Sequence, residues 1–363
     1  MYKLFFNKYK LNPFFRVRFS DQIICDLLLE KSTVVLSSPK YLQFFSKIDR
    51  PLSRRKLIKI IMDVFVLSIN NANEIFEELI QNKLIVKESY KNHLLKPIDH
   101  WIKRGWLEAL IFHLKSKDLD YMDDNAQNTL DFKNNLVGDM IRTETFPPIW
   151  KEVKYISQIE LPIQRLTLDS LGVKEALLNR RSNEPMRKQQ ISLQELSDIL
   201  FYSNEELRKK RAVIEERYKS NPAIIFDSSF SAFETYMLIF NVDDLVPGIY
   251  HYDAAKHKLS LIKSGNFREE LIKMVIGQGH PRKAACAFVL TATWGRYMYR
   301  YRHPRAYRNL FINLGEFAQK YLVIASALKL STFLTPALND KFADNLLGLN
   351  GYEEAPLYVI AVG

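Results

Sequence analysis

Apolar positions in the first 98 residues follow a helix–helix–strand order. Residues 53–65 and 73–84 each place apolar side chains on one face at helical spacing, which predicts two amphipathic helices. Three further runs have the length and composition of short strands: 16–19, 33–36 and 84–88. Two helices followed directly by a strand are typical of a winged helix, so we predict a winged-helix domain over residues 1–98.

The second half of the chain mixes helical and strand-like patterns. Residues 191–200 predict a helix, because Ser192 and Glu195 have the spacing of a capping box. The apolar runs 284–294 and 356–362 predict buried strands, and both are too short to cross a membrane. Helices and strands mixed in this way predict an α+β or an α/β layer architecture, and we take α+β as the fold class.

These patterns divide the chain into three parts. The winged-helix domain at 1–98 is followed by a helical connector and polar linker at 99–160, and then by the α+β domain at 161–363. Hydrophobic residues make up 47% of the 363 positions, enough for packed cores in two or three domains. Two widely separated cysteines and the lack of a signal-peptide pattern predict a cytoplasmic protein without membrane insertion.

The formal net charge of +11 predicts an anionic partner. A winged helix can bind DNA, but its second helix carries Glu74, Glu77 and Glu78 against one lysine, which is a poor surface for phosphate. Peptide binding by strand addition is therefore favoured over nucleic acid. A docking or dimerisation role for this domain stays open, and a DNA-binding regulator is the disfavoured alternative.

Residues 296–308 concentrate the candidate chemistry. The segment holds five arginines and four tyrosines directly after the predicted strand 284–294. Arginine forks suit phosphate and carboxylate groups, and tyrosine can donate a proton in acid–base catalysis. From composition alone, an exposed basic loop that covers the edge of the core is equally consistent.

Several segments together resemble the nitroreductase superfamily and, more narrowly, its SagB-type peptide dehydrogenases. The first 98 residues resemble the leader-peptide-binding winged helix that often accompanies such enzymes. The remaining similar segments are 101–114, 180–182, 191–196, 246–253, 315–319, 346–350 and 356–363. The resemblance implies a nitroreductase-like flavin domain with a mixed sheet flanked by helices, FMN as cofactor and a homodimer.

The resemblance also implies roles for individual residues. Tyr301 and Arg300 occupy the catalytic tyrosine and lysine places of the family, and Arg305 is the predicted substrate-binding residue. The predicted cofactor-binding residues are Arg180, Arg181, Ser182, Ser228, Ser229 and Glu316. Forked donors such as Arg180 and Arg181 match the needs of the FMN phosphate. No metal site is predicted.

Some of these positions depart from the family pattern. Arg300 replaces a lysine and cannot release a proton near neutral pH. Ser228 replaces a glycine that permits close approach to the flavin. Glu184 stands where an arginine is expected, and Glu316 stands where histidine is common.

The function implied is FMN-dependent oxidation of a ribosomally synthesised precursor peptide that carries a leader, from azoline to azole. One alternative is reduction of dehydroamino acids to D-amino acids in a lanthipeptide-type pathway, which the loss of the lysine favours. Another is a non-catalytic peptide-binding protein with a degenerate flavin site. Other peptide-modifying enzymes of the same pathway are further predicted partners.

Overall fold

The computed structural model describes residues 7–30, 32–90, 95–117, 128–165, 178, 180–181, 185–186, 188–227 and 231–363. The chain divides into two compact units, Met1–Tyr121 and Met122–Gly363. Residues 99–117 therefore belong to the first unit and residues 128–160 to the second. The three-part division with a separate connector stays a prediction.

The first unit contains two antiparallel three-stranded sheets, with strand orders β5-β1-β6 and β2-β3-β4, together with five helices in its described part. The strands are β1 Lys8–Leu11, β2 Phe15–Phe19, β3 Ile23–Leu27, β4 Ser32–Leu36, β5 Leu52–Ser53 and β6 Ile85–Lys87. The helices are α1 Lys40–Ser46, α2 Arg54–Phe65, α3 Ile69–Gln81, α4 Leu95–Lys103 and α5 Leu107–Lys117.

The predicted order of two helices and a strand is present as α2, α3 and β6. Both helices begin at a serine cap: Ser53 accepts a hydrogen bond from the Lys56 amide, and Ser68 from the Asn71 amide. The second cap starts α3 at Ile69, four residues before the predicted start. The winged-helix identity and peptide binding stay predictions.

The second unit is built on one seven-stranded sheet of order β12-β13-β11-β8-β9-β10-β7. Its strands are β7 Ser157–Glu160, β8 Phe233–Ile239, β9 Gly248–Asp253, β10 Lys258–Ser264, β11 Cys286–Thr293, β12 Thr332–Thr335 and β13 Glu354–Val362. Its described helices are α6 Thr129–Thr143, α7 Leu193–Ser203, α8 Glu205–Arg217, α9 Ile224–Asp227, α10 Arg268–Met274, α11 Trp294–Arg300, α12 Ala306–Ala327 and α13 Asp340–Leu347.

The central strands are buried on both faces. Along β8, Met237 packs into one hydrophobic core and its neighbour Leu238 into another; Phe288 and Val289 divide in the same way on β11. Alternate side chains of a strand point to opposite faces, so helices must cover both sides of this sheet. Helices α7 and α12 contribute to the first core, and α10 and α13 to the second.

This architecture confirms the α+β fold class. The seven strands pair antiparallel, and the parallel pairing among the described residues is an isolated bridge between Ile191 and Val242. The mixed sheet we expected is therefore antiparallel along its ladders. The predicted capping box is confirmed: Ser192 and Glu195 bond each other's backbone amides at the start of α7.

Two parts of the second unit differ from expectation. Helix α6 lies in the predicted linker and buries Val137 and Met140 in a cluster with Ile214 and Tyr299. The highly charged sequence of helix α8 is typical of a solvated helix, yet Arg211 on it is 1% exposed. Both differences have the same cause: the partners of these residues lie far away in sequence.

Candidate active site

The segment 296–308 is largely helical. Helix α11 follows β11 directly, and after a short turn α12 begins at Ala306. The α11 helix ends at Tyr301, whose amide donates to the carbonyl of Tyr297 at 3.0 Å. The rings of Tyr297 and Tyr301 lie 4.7 Å apart between centroids. The predicted catalytic tyrosine is thus half of an aromatic pair, with its neighbour one helical turn earlier.

A cavity of about 860 Å³ opens beside this helix and is named here the tyrosine cavity. Its volume is within the range of sites for small molecules and cofactors. Trp294, Tyr297, Met298 and Tyr301 line it from α11 and its C-terminus, and they follow helical spacing. Its other lining residues are Glu144, Thr145, Pro147, Gly295, Tyr299, Arg302, His303, Pro304, Ala306, Tyr307, Leu310, Gly351 and Tyr352.

Glu144, Thr145 and Pro147, from the segment 144–151, form one wall of the tyrosine cavity. Glu144 pairs with both terminal nitrogens of Arg302, and one of these bonds measures 3.0 Å. The guanidinium of Arg302 lowers the pKa of the Glu144 carboxyl below its ordinary value. Further along, the Pro148 carbonyl accepts a hydrogen bond from Arg296 Nε at 2.7 Å. The wall is therefore attached to the turn after α11 and to α11 itself.

Two other hollows border the same helices. One of about 610 Å³ contains Asp340 and Asp344 and is called the acidic hollow; it shares Trp294, Tyr307 and Gly351 with the tyrosine cavity. The small hollow, about 110 Å³, lies on the other side of Tyr297, which lines both it and the tyrosine cavity. The tyrosine cavity is thus adjacent to both hollows, and all three are lined by residues of α11 or its neighbour α12.

A buried charge cluster lies under α11. Glu234 on β8 is 4% exposed and pairs with Arg296 and with Arg211, the latter at 3.1 Å. His251 Nε2 lies 3.3 Å from its second oxygen. Burial works to raise the pKa of the Glu234 carboxyl, but Arg211 and Arg296 outweigh it and hold the pKa well below its ordinary value. Glu234 is therefore charged at neutral pH.

A second buried carboxylate, Glu354 on β13, lies beside this cluster. It pairs with Lys151 and accepts a hydrogen bond from Thr291 Oγ1 at 2.5 Å. Lys151 also places its ammonium 5.2 Å from the ring centroid of Tyr236. Residues 144–151 are thus fixed at both ends by charged contacts, one at the cavity rim and one in the core.

Comparison with known proteins identifies the family. Residues 226–363 match the model of the nitroreductase family. The chain is also similar to the trifolitoxin operon protein TfxC of Rhizobium leguminosarum bv. trifolii. The two are 30% identical over 365 residues, which cover 98% of this chain and 99% of TfxC.

The chain belongs to the nitroreductase family.

Two further similarities are weaker. The trifolitoxin-processing protein TfxB of the same organism is 25% identical over 118 residues, which cover 32% of each chain. One solved structure is the E. coli microcin synthetase McbBCD complex with truncated pro-MccB17 bound. Its matching chain has 17% identity and a TM-score of 0.40, and the match covers 76% of this chain and 98% of that one. Membership of the nitroreductase superfamily is confirmed, while the SagB-type subgroup stays a prediction.

The predicted site residues of this nitroreductase-family chain are spread over the three openings. Tyr301 lines the tyrosine cavity and Glu316 lines the small hollow. The Arg300 guanidinium lies 4.9 Å from the ring centroid of Tyr301. Arg300 and Arg305 are half-buried and are not among the described residues that line the tyrosine cavity.

Of the predicted phosphate-binding residues, Arg180 lies near the acidic hollow. Burial raises the pKa of the Tyr358 phenol, which lines that hollow, and the positive charge of Arg180 opposes this rise. Arg181 accepts a hydrogen bond at its carbonyl from Thr332 Oγ1, while its guanidinium turns back to the Leu178 carbonyl. Ser182, Glu184, Ser228 and Ser229 lie outside the described residues.

These positions allow a test of whether a flavin fits. The acidic hollow has the volume and aromatic walls of a ligand site, with Arg180 nearby as a cationic donor. The small hollow is well below ligand size, so Glu316 does not share a flavin-sized space with Arg180. The acidic hollow thus offers the volume, the aromatic walls and a nearby cation that suit a flavin, but Asp340 and Asp344 in its lining would repel the phosphate, and Glu316 lies apart from it.

Several residues of this region were not predicted from the sequence. Trp294 and Tyr297 precede the predicted Tyr301 at helical spacing, a signal hidden by the basic composition of the segment. Glu234 is a lone charge in the apolar strand 233–239, which indicates a buried, paired carboxylate. None of the helices in the described part of the chain has the length and hydrophobicity for crossing a membrane, and these residues include no cluster suited to a metal ion.

Proposed function

We propose that this protein is an FMN-dependent oxidoreductase that oxidises azolines to azoles in a ribosomally synthesised precursor peptide. The observation that carries the proposal is similarity along almost the whole chain to a trifolitoxin operon protein, together with a partial match to a trifolitoxin-processing protein. We infer from these names that this chain also takes part in processing a precursor. Its nitroreductase-family membership supports redox chemistry as its contribution.

We propose the following roles for individual residues. Arg180 and Arg181, with Ser182, would hold the FMN phosphate, and Ser228 and Ser229 would contact the cofactor. When bound, FMN supplies hydride transfer. Tyr301 would take or relay the proton that leaves the ring carbon. Arg300 stays charged and would orient the substrate or stabilise negative charge, as would Arg305.

The partners follow from the same proposal. The first unit would bind the leader of the precursor peptide by strand addition at a sheet edge. The active form would be a cytoplasmic homodimer that works beside other peptide-modifying enzymes.

Reduction of dehydroamino acids to D-amino acids is the second candidate. The position of Arg300 against the Tyr301 ring favours it, because a guanidinium cannot act as the base that an oxidation uses. In this direction Tyr301 or a water would protonate the α-carbon after hydride addition to the neighbouring carbon.

The first experiment measures the visible spectrum of the purified full-length chain and identifies any released cofactor by mass. We expect FMN. No flavin bands as purified, and none after incubation with FMN, would refute both redox candidates and leave a non-catalytic peptide-binding protein.

The second experiment follows peptide mass. An azoline-bearing peptide with its leader should lose two hydrogens, whereas gain of two hydrogens by a dehydroalanine peptide in the presence of NAD(P)H would establish reduction instead. Tyr301→Phe should slow turnover by roughly a hundredfold or more, the usual contribution of a general acid or base. Tyr155→Phe is the matched control, since it removes the hydroxyl of a half-exposed tyrosine outside the three openings.

A further inference from the structure

We propose that Glu144 and Thr145 form a gate at the mouth of the tyrosine cavity, and that the ion pair between Glu144 and Arg302 is the latch that keeps this gate closed. Both side chains of the pair line the cavity and are partly exposed, so they lie where the cavity meets solvent. The inference concerns how a ligand enters the cavity. It therefore goes beyond the proposed reaction and does not depend on flavin or on turnover.

The gate lies in a stretch of chain whose backbone is not held by secondary structure. Helix α6 ends at Thr143, and β7 begins at Ser157. Between them, the backbone groups of residues 145–155 make no hydrogen bond to another backbone group in the described part of the chain. Backbone hydrogen bonds hold helices and strands in place, so this stretch is positioned mainly by its side chains. Its position can change when a side-chain contact releases.

The contacts of this stretch differ in strength along its length. Lys151 pairs with Glu354, whose side chain is 7% exposed. The Pro148 carbonyl accepts a hydrogen bond from the buried Arg296. The latch, in contrast, joins two side chains that are 42% and 34% exposed. An exposed ion pair changes an equilibrium by about fivefold at most, whereas breaking a buried pair leaves a charge without its partner. The latch is therefore the contact that opens first.

Arg302 is the fixed half of the latch. Its Nε donates a hydrogen bond to the Tyr299 carbonyl at 3.0 Å, and its guanidinium lies 5.3 Å from the centroid of the Tyr299 ring. These contacts do not involve Glu144, so Arg302 keeps its place at the mouth of the cavity when the latch opens. Glu144, directly after the end of α6, is the half that moves.

Phe146 is the pivot of the gate. Its ring stacks on the Tyr218 ring, with centroids 3.9 Å apart, and meets the Tyr299 ring edge-on at 5.2 Å. Thr145, its neighbour, lines the cavity instead. Because Phe146 is packed against a hydrophobic cluster, opening moves Glu144 and Thr145 while the deeper walls stay in place. Movement of this kind widens the mouth of a site without rebuilding it.

The test measures how fast a reagent reaches the inner wall of the cavity. Ala306 lines the cavity and is 4% exposed, so Ala306→Cys places a thiol there. The native Cys25 and Cys286 are buried, and burial raises the pKa of both thiols to about 12, so they react slowly. The full chain is treated with N-phenylmaleimide, a neutral aromatic reagent, and labelling is followed by mass spectrometry.

Glu144→Gln, added to Ala306→Cys, keeps the shape of the latch residue and removes its charge. Labelling should become roughly two- to fivefold faster, which is the range that an exposed ion pair accounts for. With the latch intact, added salt should raise the labelling rate towards that of the variant, because salt screens exposed charges. In Glu144→Gln the rate should not respond to salt, since the reagent is neutral.

A second latch variant and a control locate the effect. Arg302→Gln should speed labelling by a similar factor, and the double variant should be no faster than either single one, because both remove the same pair. Glu269→Gln removes a carboxylate from another exposed arginine pair, outside the tyrosine cavity, and should leave the rate unchanged.

Three results would overturn the proposal: equal labelling rates with and without Glu144→Gln, no response of the intact latch to salt, or additive acceleration in the double variant. If Ala306→Cys does not fold, Leu310→Cys replaces it, since Leu310 also lines the cavity and is 1% exposed. Labelling uses neither flavin nor substrate, so its failure refutes the gate alone, whereas absence of flavin refutes the proposed redox function alone.

Discussion

Replacing Glu234 by glutamine is expected to destabilise the second unit more than any exposed carboxylate replacement. The substitution keeps the shape of the side chain and removes its charge. Arg211 and Arg296, 1% and 3% exposed, would then face each other without their shared counter-charge. The buried charge cluster, in which one negative charge lies between two positive ones, would keep only the two positive charges, which repel.

Stability losses measured in other proteins indicate the expected loss for Glu234→Gln. Removing one partner of a buried ion pair costs about 3–5 kcal/mol of unfolding free energy, because the remaining charge stays buried. Backbone carbonyls of Pro148, Ser231 and Phe233 still accept hydrogen bonds from the two arginines, which keeps the loss within that range. The matched control is Glu269→Gln, since Glu269 is 63% exposed in its pair with Arg282. It should cost no more than about 1 kcal/mol.

Urea unfolding gives the free energies, and hydrogen exchange assigns the change to a unit, since two compact units need not unfold together. Peptides that cover β8 and α11 should lose protection in Glu234→Gln, while those from residues 52–87 should not. A loss for Glu234→Gln no larger than that for Glu269→Gln would refute the inference that these buried charges hold the second unit together.

The difference in unfolding free energy between wild type and Glu234→Gln depends on pH, and the sign of this dependence follows from the pKa of Glu234. The folded pKa of Glu234 lies below its ordinary value of 4.5, so the folded state favours the charged form. The stabilisation is fully present above about pH 4.5 and is lost as the pH falls through the lowered pKa. The gap in unfolding free energy between wild type and Glu234→Gln should therefore narrow on acidification; a gap that widens would contradict the assignment.

Three further predictions concern single contacts. Ser192→Ala removes the side-chain cap of α7 and should cost about 1 kcal/mol in urea unfolding; an unchanged midpoint would show that the capping box contributes nothing. Gly248→Ala places a Cβ 2.6 Å from the Lys263 carbonyl and should cost about 1–3 kcal/mol, as overpacking does, so a stabilised variant would contradict this contact. Arg302→Gln should change unfolding free energy by less than about 1 kcal/mol, because its pair with Glu144 is partly exposed. It should still increase hydrogen exchange in residues 144–151, and unchanged exchange would mean that the pair does not fix this wall.

Local sequence signals were sufficient wherever the structure depends on neighbours in the chain. The start of α7 is set by Ser192 and Glu195, three positions apart, and the structure has the bonds that this spacing predicts. Strand β11 was predictable because an uninterrupted apolar run must be buried. Its central position in the sheet follows from the same property, since both of its faces are covered.

Local sequence patterns did not predict the burial of a side chain when its partners lie far away along the chain. Arg296 donates to Pro148, 148 positions away, and to Glu234, 62 positions away. No local window contains these partners, so its burial could not be inferred from residues 296–308. The burial of Arg211 in a highly charged helix has no local signal for the same reason, and residues 144–151 were taken for a linker. The segment 296–308, predicted as the candidate site, does line the tyrosine cavity, but the other walls of that cavity were not predictable.

The net charge of +11 is the clearest case in which a true global property misleads about a local one. It predicted an anionic ligand, and the five arginines after β11 were the natural place for it. In the folded chain, Arg296 is directed into the core and Arg302 is paired at the cavity rim. Because adjacent positions on a helix point in different directions, the same turn that buries Arg296 directs Tyr297 to the cavity. The basic segment therefore presents mainly aromatic side chains to the tyrosine cavity, where its charged lining residue, Arg302, is paired with Glu144.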